Sequence, residues 1–441
     1  MNIEDFRIST DLQASLVSIV CDKFEYHRTT EETMSSLHEL RELLRTLGIK
    51  AGNHYVQNKK QIDPATILGP GKLEEIAEAA KAEGSQLLVC DFDLTASQLR
   101  NIKETTGLEV SDRCSIILEI FAKHAHTREA KIQIEISRLQ YILPRLTSLW
   151  THFSKQKGGI GLKGEGEQQL ELDRRLVRER IEHYKRELET VVVGRMERKK
   201  RREEKAVTAA LVGYTNAGKS SVMNRLCKVN VLEEDKLFAT LDSTYRMLNP
   251  DTKPPMILID TVGFISNLPN TLIEGFKTTL ESAIEADLLV IVVDISDPHY
   301  KKHLEVTESV LTELNVWDKD KIVVFNKKDK LTHPLQEKII ARGYKDSFVI
   351  SSFDENDINQ LRDYIINFFL KQQQPVDLFI PFENGDAHSK VLGQTNVLKT
   401  VNHETGIFYR IRVPEFIFNR LNLKIYILGP EIDANKIFET N

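Results

Sequence analysis

Gly213-Tyr-Thr-Asn-Ala-Gly218-Lys219-Ser220 fits the spacing G-x-x-x-x-G-K-[ST], and the residues around it decide the fold. Before it, Val207-Thr-Ala-Ala-Leu-Val212 reads as a buried strand; after it, Ser221-Val-Met-Asn-Arg-Leu-Cys227 opens a helix. A strand, a glycine loop and a helix in that order put backbone N–H groups and the positive helix end around a phosphate. Gly213, Tyr214, Thr215, Asn216, Ala217, Gly218, Lys219, Ser220 and Ser221 would form this cradle. Lys219 would neutralise the outer phosphates, and the Ser220 hydroxyl would reach Mg2+. The chain is expected to bind a nucleotide in an α/β domain.

The base is read further along. Asn326-Lys327-Lys328-Asp329 follows the apolar run Ile322-Val-Val-Phe325, which places it at the carboxyl end of a strand. A carboxylate at Asp329 accepts from N1–H and the exocyclic amine of guanine, groups that adenine lacks. A site built around such partners rejects the wrong base, because each buried group left unpaired costs about 1–3 kcal/mol. Asn326 would tie this segment to the phosphate loop, and the stem of Lys327 would cover the base. Ile350-Ser351-Ser352 would add contacts to the base from Ser351 and Ser352.

Between these motifs, Met256-Ile-Leu-Ile-Asp260-Thr-Val-Gly263 is an apolar strand ending in an acid, with glycine three residues on. Asp260 would hold Mg2+, and the Gly263 N–H would sense the γ-phosphate. Thr240, in Leu237-Phe-Ala-Thr-Leu-Asp242, is the hydroxyl expected to close on Mg2+ when the triphosphate is present. Lys219, Thr240 and Gly263 are the expected catalytic positions, and Ser220, Thr240 and Asp260 the metal ligands. The order is that of a guanine-nucleotide switch using GTP, GDP and Mg2+. Phe264 follows Gly263 where many such switches carry a water-orienting glutamine. Hydrolysis is therefore expected to be slow alone and to be stimulated by a partner, unless another local residue does the work.

The remaining composition sets the context. The 441 residues carry a formal net charge of −5, so the chain is not basic overall. Cys21, Cys90, Cys114 and Cys227 lack paired spacing, which fits reduced cytoplasmic thiols. His124 and His126 have no companion ligands and read as ordinary histidines. The amino terminus lacks the basic-then-apolar pattern of a signal peptide, and no apolar run reaches the ~20 residues that span a bilayer. A cytoplasmic monomer without a membrane span is expected.

Residues 1–125 alternate strand and helix: Ser15–Val20 and Gln86–Cys90 as strands, Thr30–Leu47 and Ser97–Glu104 as helices, the longer ended by Gly48. Gly69-Pro-Gly71-Lys72 opens a helix over Leu73–Ala82, either as a second anion site or as a turn and cap. Residues 126–205 differ. Ile132, Ile136, Leu139, Leu143 and Leu146 step by four and three, as do Val177, Ile181, Tyr184, Leu188 and Val191. Pro144 should kink the first stripe near its end. Lys157 to Gly166 is too glycine-rich for a helix, so an antiparallel hairpin with a glycine tip is predicted. Here Lys and Arg outnumber Asp and Glu 20 to 13, and Arg198-Lys-Lys-Arg-Arg202 closes the segment. A basic arm points to nucleic-acid phosphates, with Trp150, His152 and Phe153 available to stack on bases. Residues 206–372 hold the nucleotide motifs. Residues 373–441 show apolar alternation over Ile407–Val413 and Leu423–Leu428 and read as a small α+β domain without a catalytic constellation.

With these stretches the chain resembles the HflX family of translation-factor-related (Obg-HflX-like) GTPases. The likeness runs through Ile116-Ile-Leu-Glu-Ile-Phe-Ala122, His126-Thr-Arg-Glu-Ala-Lys131, Leu143-Pro-Arg-Leu146, Gly158-Gly-Ile-Gly161 and Asp173-Arg-Arg175, besides Gly213–Ser220, Leu237–Asp242 and Asp260-Thr-Val-Gly-Phe-Ile265. It implies a multidomain α/β protein: a small α/β domain with a coiled-coil arm, a Ras-like P-loop GTPase domain and a small α+β domain. It implies binding to the large ribosomal subunit, through ribosomal RNA at residues 126–205 and the N-terminal domain, and GTP-dependent splitting of stalled or idle ribosomes. The alternative is an RNA- or ribosome-binding assembly or regulatory module in which GTP sets binding with little turnover. Relatives read Arg-Gly-Pro-Gly-Glu-Thr-Gln at the arm tip, where this chain has Lys163-Gly-Glu-Gly-Glu-Gln-Gln169, with Glu165 adding a negative charge. Relatives also read Arg-Thr-Gln where Arg113-Cys-Ser stands here, and Ser-Ala where Ser351-Ser352 stands.

Overall fold

A computed structural model describes residues 12–21, 29–146, 165–203, 206–228, 237, 238, 243–249, 255–266, 280, 283–331, 334–344, 347–371, 375–429 and 437. The chain divides into two compact units. One is Met1–Val192 with Glu234–Asp242 and Ile265–Thr279; the other is Val193–Glu233 with Ser243–Phe264 and Leu280–Asn441.

In the first unit β1 (Gln13–Cys21), α1 (Thr30–Leu47), β2 (Lys50–Lys59), α2 (Pro70–Ala82), β3 (Leu87–Cys90), α3 (Ala96–Thr106) and β4 (Glu109–Asp112) alternate. The strands form a parallel sheet in the order β2-β1-β3-β4. Both ends of α1 are written in its flanks. Thr29 and Glu32 form a reciprocal capping box, and Gly48 closes the helix at φ 87°, where a side chain would be strained. The edge strand β2 is mostly half-exposed, which is why its polar sequence carries no apolar alternation. The helix expected from Leu73 starts three residues earlier, with Pro70 in its first turn and Gly69 as its cap.

Helix α4 (Arg113–His124) leaves the carboxyl end of β4, and Asp112 caps it by accepting from Ser115 N at 2.9 Å. The same carboxylate, fully buried, also accepts from the Tyr141 hydroxyl at 2.8 Å and from Arg145 Nη2 at 3.2 Å. Arg145 lies 3.6 Å over the Tyr141 ring. Tyr141 and Arg145 belong to α5 (Arg128–Ile142) and to the tight 3-10 turn Leu143–Arg145 that follows it. The helix thus ends just before Pro144, whose ring cannot continue it. The long α6 (Glu165–Glu203) supplies the second apolar stripe. Ile132, Ile136, Leu139 and Leu146 pack with Val177 and Ile181 in one buried seam, and Arg128 pairs with Glu187 at 2.7 Å beside it. Trp150, His152, Phe153 and the tip from Lys157 to Gly164 lie outside the described residues, whereas Glu165 and Gly166, expected in the tip, are already helical at the start of α6.

The second unit holds a six-stranded sheet in the order β10-β9-β8-β5-β7-β6. Its strands are β5 (Val207–Gly213), β6 (Thr244–Asn249), β7 (Met256–Asp260), β8 (Leu288–Asp294), β9 (Lys321–Asn326) and β10 (Ser347–Val349). All neighbours run parallel except β6 against β7. The central strands are almost wholly buried, as their unbroken apolar runs require. Helices α7 (Lys219–Cys227), α8 (Tyr300–Glu313), α9 (Pro334–Gly343) and α10 (Glu355–Lys371) complete it. Last comes an antiparallel sheet β11-β13-β12, from Pro375–Pro381, Gly406–Arg412 and Asn396–His403. The alternation at Leu423–Leu428 is not a strand. Leu423–Tyr426 forms a 3-10 turn that buries Leu423, and only Ile427 bridges to β11. Among the described residues no helix is long and apolar enough to cross a membrane.

Candidate nucleotide site

The loop between β5 and α7 is shaped by positions where a side chain does not fit. Gly218 sits at φ 90°, and a Cβ there would press into the side-chain amide of Asn326. Gly213 at φ 146° lies against the backbone carbonyl of Val292 in the same way. Between them Asn216 takes φ 58°, a conformation asparagine tolerates better than most residues. Lys219 is buried, and its ammonium donates to Gly213 O at 3.2 Å and Tyr214 O at 2.9 Å. Ser220 and Ser221 stand in the first turn of α7, where backbone N–H groups have no helical partner.

Asp260 ends β7 beneath this loop and accepts from the Ser220 hydroxyl at 2.7 Å. Gly263 lies so close that a Cβ would stand 2.8 Å from Thr215 Cα and 2.9 Å from Lys219 Nζ. Phe264 is 2% exposed, and its backbone clasps the loop. Phe264 N donates to Gly213 O at 3.0 Å, while Thr215 N donates to Phe264 O at 2.7 Å. Thr240 lies outside the described residues. Two positions before it, Phe238 takes φ 57°, is buried, and packs edge-on against Phe121 with centroids 4.6 Å apart.

At the other end of the site, Asn326 is buried and bonds both ways. Its amide donates to Ala217 O at 3.1 Å, and its carbonyl accepts from Ser352 N at 3.1 Å. Lys327 turns at φ 67° and donates to Asn216 O at 2.8 Å, while its ammonium pairs with Asp294 at 2.6 Å. Asp329 accepts from the Ser351 hydroxyl at 2.6 Å. Asp357 of α10 in turn accepts from Ser351 N at 2.8 Å and pairs with Lys328 at 2.6 Å. Every expected site residue among the described ones therefore sits on one rim, at the carboxyl ends of β5, β7 and β9 and beside β10. That rim is where open parallel sheets bind ligands.

Burial pushes the Lys219 ammonium down to about 8, against the opposing pull of Asp260. The free protein thus favours the neutral amine above that point, whereas a bound phosphate favours the charged form. Nucleotide binding is expected to take up a proton near pH ~9 and almost none near pH ~7. Calorimetric titration with GDP in buffers of different ionisation heat measures the uptake. Equal uptake at both pH values would show that Lys219 does not titrate with the ligand.

Three sequence profiles match in series: "GTP-binding GTPase N-terminal" over residues 34–122, "GTP-binding GTPase Middle Region" over 124–202 and "50S ribosome-binding GTPase" over 208–327. GTPase HflX of Alkalihalophilus pseudofirmus is 38% identical over 374 residues, 85% of this chain and 88% of the relative. GTPase HflX of Magnetococcus marinus is 36% identical over 428 residues, 96% and 99% of the two chains. The chain belongs to the HflX family. As an HflX-family GTPase it binds guanine nucleotides and hydrolyses GTP. Among solved structures, a GTP-binding protein from Sulfolobus solfataricus in complex with GDP is 25% identical. The match covers 81% of this chain and 99% of that one, with a TM-score of 0.42.

Sequence reasoning missed Asp294 and Asp357. Asp294 could have been found, since it ends an apolar strand as Asp260 does. Asp357 lies inside an unremarkable amphipathic helix, and nothing local marks it. At Gly69–Lys72 the amide of Gly69 is taken by Gln57 at 2.9 Å and Lys72 pairs with Glu75 at 2.6 Å, the arrangement of a turn and cap.

Proposed function

We propose that this HflX-family GTPase binds the large ribosomal subunit through ribosomal RNA, using the arm of residues 126–205 and the N-terminal domain, and splits stalled or idle ribosomes. The arm carries this reading. Its two helices bury their apolar stripes against each other, which leaves a surplus of Lys and Arg for a polyanion. The description of its nucleotide-domain profile as a ribosome-binding GTPase supports the same partner. We retain the four-part division at 1–125, 126–205, 206–372 and 373–441 and a cytoplasmic monomer.

In the nucleotide site, residues 213–221 would wrap the phosphates, and Asn326, Lys327, Asp329, Ser351 and Ser352 would hold guanine. Ser220, Asp260 and Thr240 would hold Mg2+. The Ser220–Asp260 contact fits that ion, being a hydroxyl and a carboxylate already side by side, the hard oxygen donors magnesium takes. Held by these residues, the ion would neutralise negative charge on the β- and γ-phosphates. Lys219 supplies positive charge at the outer phosphates, Thr240 closes the switch segment, and Gly263 offers its N–H to the γ-phosphate. Phe264 brings no polar atom to the water, so the isolated protein hydrolyses slowly and the ribosome completes the site.

Sucrose gradients of whole ribosomes with GTP, with a non-hydrolysable analogue and without nucleotide test the proposal. Conversion to subunits that requires the triphosphate, together with ribosome-stimulated turnover, is the expected result. Co-migration with the large subunit without dissociation would favour the regulatory reading. Absence of any co-migration would remove the ribosomal partner.

A further inference from the structure

Tyr214, the second residue of the phosphate loop, is buried, and its ring lies flat against His303 with centroids 3.9 Å and planes 10° apart. His303 is half-buried in the first turn of α8, where its carbonyl accepts from the Thr307 hydroxyl at 2.8 Å. The residues on either side of Tyr214 are the two that clasp Phe264: Gly213 through its carbonyl and Thr215 through its N–H. That clasp is continuous with Gly263, which has no room for a Cβ against Thr215.

We infer that His303 and Tyr214 are positioning residues for GTP hydrolysis. Their stack sets the pitch of residues 213–215 and, through the Phe264 clasp, the depth at which the Gly263 N–H meets the terminal phosphate. The inference rests on the reading of Gly263 as the γ-phosphate contact. The stack acts on that contact rather than on nucleotide affinity because the rest of the cradle is anchored elsewhere. Asn326 holds Ala217, Lys327 holds Asn216, and the first turn of α7 fixes Ser220. A tilt at Tyr214 therefore disturbs what distinguishes a triphosphate and spares what holds a diphosphate. Backbone placement matters more here than in a site with a glutamine after the glycine. The side chain at 264 is buried phenylalanine, so it brings no polar atom to the water.

The test uses the full chain with His303→Ala and His303→Gln, which remove the flat ring, and His303→Phe, which keeps it. Steady-state GTP hydrolysis, fluorescent-GDP binding and thermal unfolding are measured for each. Loss of an aromatic stack is expected to lower kcat roughly threefold to tenfold, with KM for GTP and GDP affinity held within about twofold. His303→Phe should restore kcat. Unchanged kcat in both ring-less variants would overturn the inference. So would a parallel fall in GTP and GDP affinity with melting temperature, or failure of His303→Phe to rescue. Gly263→Ala runs alongside and is expected to lose hydrolysis, since its Cβ would displace Thr215 and Lys219. If it keeps hydrolysis, the reading of Gly263 fails and the inference falls with it. If it loses hydrolysis while His303→Ala does not, only the stack is removed.

Discussion

Replacing Asp329 with Asn is expected to weaken GTP binding by about two to four orders of magnitude and to open the site to xanthine nucleotides. The carboxylate offers two acceptors to N1–H and the 2-amino group of guanine, and each mismatched group costs about 1–3 kcal/mol, with tenfold in affinity for every 1.4 kcal/mol. An asparagine turns one acceptor into a donor, which repels the guanine amine and pairs with the 2-carbonyl of xanthine. The geometry favours a clean exchange because Asp329 is held from outside the base. Its Oδ1 accepts from Ser351, and Ser351 is fixed through its N–H by Asp357. Competition between fluorescent GDP and XDP measures the change. An Asp329→Asn protein that binds GDP as tightly as the parent and ignores XDP would place guanine recognition elsewhere.

The nucleotide site was legible because its chemistry is local. Eight consecutive residues shape the phosphate loop, Asp260 announces itself at the end of an apolar strand, and Asp329 follows just after another. What was not legible connects positions far apart in the chain. Nothing around His303 marks it as the partner of Tyr214, since a histidine on an amphipathic helix looks like any half-buried ring. The fold divides in the same way. Helix α1 was readable to the residue, because Thr29, Glu32 and Gly48 cap it with their own chemistry. Strand β2 was not, because an edge strand exposed along much of its length needs no apolar face. At Leu423–Leu428 an alternating pattern satisfied a tight turn that drops a single leucine into the core, so period two alone did not specify a strand. The arm seam was visible as two stripes. Its root at Asp112 was not, because one buried carboxylate collects donors from the first turn of α4, from α5 and from the turn at Pro144.

Beside that root lies the second large effect. Arg113→Met is expected to lower the stability of the N-terminal unit by about 3–5 kcal/mol. Arg113 and Asp91 are both almost completely buried, and their ion pair measures 2.9 Å. Asp91 also accepts from Ser36 at 3.0 Å and Ser18 at 3.3 Å, and Arg113 pairs a second time with Glu39. Methionine fills similar volume, so packing changes little and the loss isolates the charge. Two neutral hydroxyl donors do not replace a guanidinium beside a buried carboxylate. Arg113→Lys should recover only part of the loss, since one ammonium cannot fork to Asp91 and Glu39 together. Urea unfolding followed on the N-terminal unit gives the single-variant values. A double-variant cycle with Asp91→Asn then separates the pair from its surroundings, because the Glu39 carboxylate loses Arg113 equally in the single and the double variant and cancels. The double variant should be more stable than Arg113→Met alone. If it is instead less stable by the sum of the two single losses, Arg113 and Asp91 act independently, and the buried pair does not hold β3 to α4.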